Sequence, residues 1–140
     1  MIIKSVKLNN IRSYLSQEIN FPTGSVLLAG DIGSGKSTIL LAIEFALFGA
    51  KKAELPAYAL LRHGKNNGSV ELKFELDGRE ITINRNLKRG KYGISQESGY
   101  IILNGVKKEA TYVELKTIVL DLLGYPKDLV SRSKDLVYRY

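Results

Sequence analysis

The sequence has no cysteine, which excludes disulfides and thiolate metal centres. Its one histidine, His63, cannot build a zinc site with only carboxylates for company. Magnesium carried in with a nucleotide is the only metal to expect. Long apolar runs are missing too: the stretch at residues 39–48 is too short to cross a bilayer and contains Glu44, and Met1-Ile2-Ile3-Lys4 does not open a signal peptide. A soluble cytoplasmic protein with no membrane partner is expected. Acid is in short supply, with 14 Asp and Glu against 21 Lys and Arg. The resulting charge of +7 favours a polyanion such as nucleic acid, although many small basic domains bind nothing large. There is no internal repeat, and 140 residues suffice for one compact domain.

What the chain does contain is Gly30-Asp31-Ile32-Gly33-Ser34-Gly35-Lys36-Ser37, which fits the phosphate-binding pattern G-x-x-x-x-G-K-[ST]. Backbone N–H groups converge on a triphosphate only where glycines free the chain, and Gly30, Gly33 and Gly35 supply that freedom. Lys36 is expected to reach the β- and γ-phosphates as the catalytic cation, and the Ser37 hydroxyl to ligate Mg²⁺. Thr38 adds a second hydroxyl in the same turn. The apolar run Ser25-Val26-Leu27-Leu28-Ala29 precedes the loop as a short buried strand. The apolar helix that follows, closed by Gly49, would add its N-terminal partial charge. An incidental lysine in a glycine turn would lack this strand, loop and helix order.

Around this centre the pattern is mostly extended. Residues 2–11 and 14–21 read as two antiparallel strands before the loop. Val70, Leu72, Phe74 and Leu76 alternate into the turn Asp77-Gly78, and Ile81, Ile83 and Leu87 continue beyond it. A basic loop, Lys88-Arg89-Gly90-Lys91-Tyr92-Gly93, is expected next, then a hairpin joining residues 100–103 to Val106 across Asn104-Gly105. Thr111 and Glu114 form a capping box for a helix over 112–123, stopped by Gly124 and Pro126. Residues 126–140 read as a short helix passing into an extended end.

Hydrolysis also needs an acidic residue at the end of an apolar strand. The one lookalike, Ile118-Val119-Leu120-Asp121, lies inside the capped helix, where Asp121 is a surface residue. Arg12, in Asn10-Ile11-Arg12-Ser13-Tyr14, could swing to a phosphate or simply sit exposed at a turn. Arg62 and His63 precede a glycine and could approach a base or ribose, although a lone histidine is usually structural. The cations Lys51, Lys52, Arg85, Lys88, Arg89, Lys91, Lys107, Lys108, Arg132, Lys134 and Arg139, several interleaved with Tyr92 and Tyr100, could neutralise phosphates along a duplex or be solvated charges at hairpin edges.

In this order, the stretch Asn10-Ile11-Arg12-Ser13-Tyr14, the loop at 30–37, an apolar helix ending in Phe48-Gly49 and an antiparallel sheet before a helix resemble one group. It is the N-terminal half of the ATPase head of SbcC-type double-strand break repair ATPases, relatives of the structural-maintenance-of-chromosomes and RecF proteins in the ABC superfamily. The resemblance covers nearly the whole chain, and the stretch at 10–14 is its most telling mark. It implies an α/β P-loop NTPase fold, an ABC-ATPase-like N-terminal lobe with an antiparallel β subdomain beside the P-loop strand and helix. It implies that Arg12, with Ser13, contacts the phosphates, that residues 30–38 hold ATP, and that Leu61, Arg62 and His63 lie near the base or ribose. The family usually has asparagine where this chain has Ile32, so a role for that amide does not carry over.

The resemblance further implies a coiled coil and a C-terminal half bearing the signature motif, the acidic strand and a histidine switch. The fragment alone is expected to bind nucleotide weakly and hydrolyse it poorly. Implied partners are that C-terminal half, a second ATP-bound head, DNA and a nuclease subunit, at the nucleoid. Lys88, Arg89 and Lys91 are the candidate DNA contacts. Two competing readings are a self-sufficient small phosphotransferase and a nucleic-acid module with a vestigial loop.

Overall fold

The computed structural model describes residues 2–21, 34–49 and 60–124, without the side chains of 34–37. The expected strand at 25–29, the first half of the phosphate loop and the segment 126–140 lie outside the described residues. Six strands form one antiparallel sheet in the order β2-β1-β3-β4-β5-β6. They are β1 (Ile2–Ile11), β2 (Tyr14–Asn20), β3 (Asn67–Leu76), β4 (Arg79–Gly90), β5 (Gly93–Leu103) and β6 (Val106–Ala110). Two helices, α1 (Ser34–Phe48) and α2 (Tyr112–Leu122), pack on one face.

Period-two patterning sets that face. Val6 and Leu8 of β1, Val70, Leu72 and Phe74 of β3, and Ile81 and Ile83 of β4 point inward and are fully buried. Their register partners line up across the sheet: Val6 opposes Leu72, which opposes Ile83, which opposes Ile101. Against this floor α1 sets Ala42, Phe45 and Ala46, and α2 sets Leu115 and Val119, all with zero exposure. Each such large apolar side chain contributes about 1.5–3 kcal/mol on burial. The alternate positions, among them Glu71, Lys73 and Tyr100, form a polar outer face.

Two expectations change. Lys88, Arg89 and Gly90 belong to β4 rather than to a basic loop, because their backbones continue the ladder with β5 down to the pair Gly90 and Gly93. The turn shrinks to Lys91-Tyr92, and β5 begins seven residues before the Tyr100 read from the pattern. Its polar first half carries no apolar alternation, so backbone pairing alone makes it a strand. Arg85, read as one of a scatter of surface cations, is 2% exposed. It occupies an inward position in the series Ile81, Ile83, Arg85, Leu87, where the β4–β5 register is interrupted between Asn84 and Asn86.

Candidate nucleotide site

The second half of the glycine motif forms the start of α1. The helix opens at Ser34, and its first turn, with Gly35, Lys36 and Ser37, contains no acidic residue. That turn therefore adds no carboxylate of its own to offset the positive end of the helix dipole. Thr38, the first described side chain, is 4% exposed and belongs to the packed base of this turn. Gly30, Asp31, Ile32 and Gly33 lie outside the described residues.

The far end of α1 is fixed by two devices. Gly49, at φ +81°, turns the chain out of the helix while its N–H still donates to Phe45 O at 2.8 Å. Arg85 then donates from Nε to Ala46 O at 2.8 Å and from Nη2 to Leu47 O at 3.3 Å, satisfying carbonyls that have no partner inside the helix. Its Nη1 reaches Tyr112 O at 3.2 Å, so one guanidinium ties the end of α1 to the start of α2. Burial lowers the Arg85 pKa to about 9, which still leaves it charged at neutral pH. Sequence reading missed this residue, although a lone arginine on the apolar register of β4 was the available signal.

The structure brings Arg12 and the segment 61–63 together. Arg12 sits at φ +50° in the tight turn between β1 and β2, and its N–H donates to Leu60 O at 2.8 Å. Arg62 N–H donates to Asn10 O at 2.8 Å, and Ile11 pairs with Leu61 between these bonds. The Arg62 guanidinium completes the clamp, with Nη1 2.9 Å from Arg12 O. Leu61 itself is buried, and its side chain lies over Gly68, where a Cβ would fall 2.7 Å from Leu61 Cδ1. Its side chain anchors the segment in the core, while Arg12, Ser13 and His63 remain exposed. Among the described residues the guanidinium of Arg12 has no partner.

The candidate DNA cations lie at the same end of the sheet, where β1 and β4 finish and β3 and β5 begin. Lys88 borders an outer-face groove with Asn9, Asn67, Ser69 and Asn86. Arg89 is held by its N–H to Asn66 O at 2.7 Å and by Nε to Lys65 O at 3.0 Å. Lys91 occupies the turn. No group of acidic or histidine side chains among the described residues could hold a metal, and no helix among them is long and apolar enough to cross a membrane.

A family profile described as AAA domain matches residues 5–136. The chain is 32% identical over 133 residues to the DNA double-strand break repair Rad50 ATPase of Methanocaldococcus jannaschii, covering 95% of this chain and 13% of that protein. It is 31% identical over 142 residues to the protein of the same description from Thermoplasma acidophilum, covering 97% of this chain and 14% of that one. The chain thus spans about a seventh of these relatives' length. A solved structure of the recombination mediator protein RecF in the RecFOR pathway superposes with a TM-score of 0.55 at 21% identity, over 81% of this chain and 29% of that one. At that identity the likeness carries the fold, an ABC-ATPase-like P-loop lobe with its antiparallel sheet.

Proposed function

The chain belongs to the AAA domain family, and from that premise we propose that it is the ATP-binding lobe of a DNA double-strand break repair ATPase head. The observation that carries this reading is the acid-free first turn of α1 opening inside the motif Gly30 to Ser37, on a fold that also clamps Arg12 to Arg62. Bound ATP with Mg²⁺ supplies the phosphoanhydride whose cleavage the complete head performs. In this chain the N–H groups of the glycine-rich residues 30–35 would hold the phosphates, Lys36 would neutralise them, and the Ser37 hydroxyl would serve the metal. Arg12 is a charge-assisted donor from the hairpin tip, and Arg62 and His63 border the base or ribose. Asp121 lies exposed on α2, and in this reading the water-orienting carboxylate would come from a C-terminal half of the head.

In the same reading two ATP-bound heads associate, and the change in their geometry is passed to DNA and to a nuclease subunit. Lys88, Arg89 and Lys91 contribute to the DNA surface. The deciding experiment is a titration of the chain with a fluorescent ATP analogue and Mg²⁺. Lys36→Ala is expected to weaken binding at least tenfold, a loss of about 1.4 kcal/mol, while circular dichroism stays unchanged. An unaltered titration would show the loop to be vestigial.

A further inference from the structure

The β4–β5 hairpin continues beyond its neighbours. Pairing with β3 ends at Asn67 and Lys88, and pairing with β6 begins only at Gly99, so among the described residues the turn and the strand ends beside it project as a two-stranded prong. At its tip Tyr92 is 93% exposed, far more than the next most exposed large apolar or aromatic residue among the described residues, Val106 at 69%. The Lys91 ammonium lies 5.5 Å from the centre of its ring. Between Glu80 and Glu97 the sequence of this hairpin holds four cations and no carboxylate, and three of them, Lys88, Arg89 and Lys91, cluster beside the tip. Its root is fixed by Arg89 on Asn66 and Lys65 and by Ile94 packed against the core.

We propose that this prong recognises an unpaired base in nucleic acid: Tyr92 stacks on the base, and Lys88, Arg89 and Lys91 hold the phosphates on either side. The exposed Tyr92 ring offers a π face on which any base can stack, and bases inside a duplex have their faces covered by their neighbours. Only a single-stranded tail, a gap or a junction presents an unpaired base to a projecting ring. The flat outer face of the sheet can lie along a duplex; the tip cannot, and it serves to tell unpaired strands from duplex. This inference rests on the DNA reading above and adds to it the structure of DNA preferred.

The test measures anisotropy of labelled oligonucleotides with the wild-type chain, Tyr92→Ala, Tyr92→Phe and a Lys88, Arg89, Lys91→Glu triple variant. The probes are a blunt duplex, the same duplex with a single-stranded tail, and the tail strand carrying 2-aminopurine. The wild type is expected to favour the tailed and single-stranded probes and to quench the 2-aminopurine. Tyr92→Ala loses about tenfold on those two probes alone, and Tyr92→Phe retains the affinity. The triple variant weakens all three probes and flattens the salt dependence. If the wild type binds none of the probes, the DNA reading falls and the inference with it. If the wild type binds blunt and tailed duplex equally, or Tyr92→Ala leaves the tailed probe unchanged or weakens the blunt duplex as much, the inference falls while the DNA reading stands.

Discussion

Arg85 is a buried cation with carbonyl partners and, among the described residues, no ion pair. Its desolvation costs several kcal/mol, but removing it orphans the last carbonyls of α1 in the core, at about 1–3 kcal/mol each. Arg85→Met is therefore expected to destabilise the fold by about 2–4 kcal/mol in urea unfolding, through two or three lost acceptor partners. A variant as stable as the wild type would mean that water reaches those carbonyls. Tyr100 offers a second reading at this scale. Burial first, then its hydrogen bond and proximity to Glu71, raise the phenol to about 12, and Lys107 sits 4.1 Å from the centre of its ring. Because the folded pKa lies above the unfolded value, the stabilisation is complete below about pH 10 and is lost as pH rises through 12. Glu71→Gln should bring the absorbance titration of Tyr100 back toward 10; no movement would leave burial as the sole cause.

At the scale of elements, α2 depends on its start. Thr111 Oγ1 accepts from Glu114 N–H at 3.2 Å and Thr111 N–H donates to Glu114 Oε1 at 2.8 Å, the reciprocal box expected from the sequence. Hydrogen bonding of the Glu114 carboxyl by Thr111, from its backbone N–H first and then its side chain, holds that carboxyl below its ordinary value, so this support is present above the unfolded pKa and is lost as pH falls through the folded one. Thr111→Ala is expected to cost about 1 kcal/mol in chemical denaturation. Loss of helix support at acid pH in the wild type but not in Glu114→Gln would identify the box as the titrating element. The hairpins behaved differently from one another. Asp77-Gly78 and Asn104-Gly105 fall where the sequence places them, with all four residues at positive φ. The prong did not, because Gly90 and Gly93 suggested a wide loop, and it is cross-strand hydrogen bonding that carries the polar segment around them into β4 and β5.

For the whole molecule, one lobe with a phosphate loop and no acidic strand among its described elements is expected to be a binder first. Adding the polypeptide that supplies the water-orienting carboxylate should raise ATP turnover well above that of the chain alone, measured by phosphate release. Robust turnover by the chain alone would point instead to a self-sufficient phosphotransferase.

The sequence by itself determined the alternation of most of the strands, the turns at Asp77-Gly78 and Asn104-Gly105 and the cap of α2, since alternation, turn pairs and capping pairs are local properties of neighbouring residues. Only the tertiary structure decided that Arg85 is interior and that Arg12 lies against Arg62. Those outcomes depend on which segments meet across 27 to 50 positions of the chain, where a carbonyl without another donor makes one position of a cation lower in free energy than another.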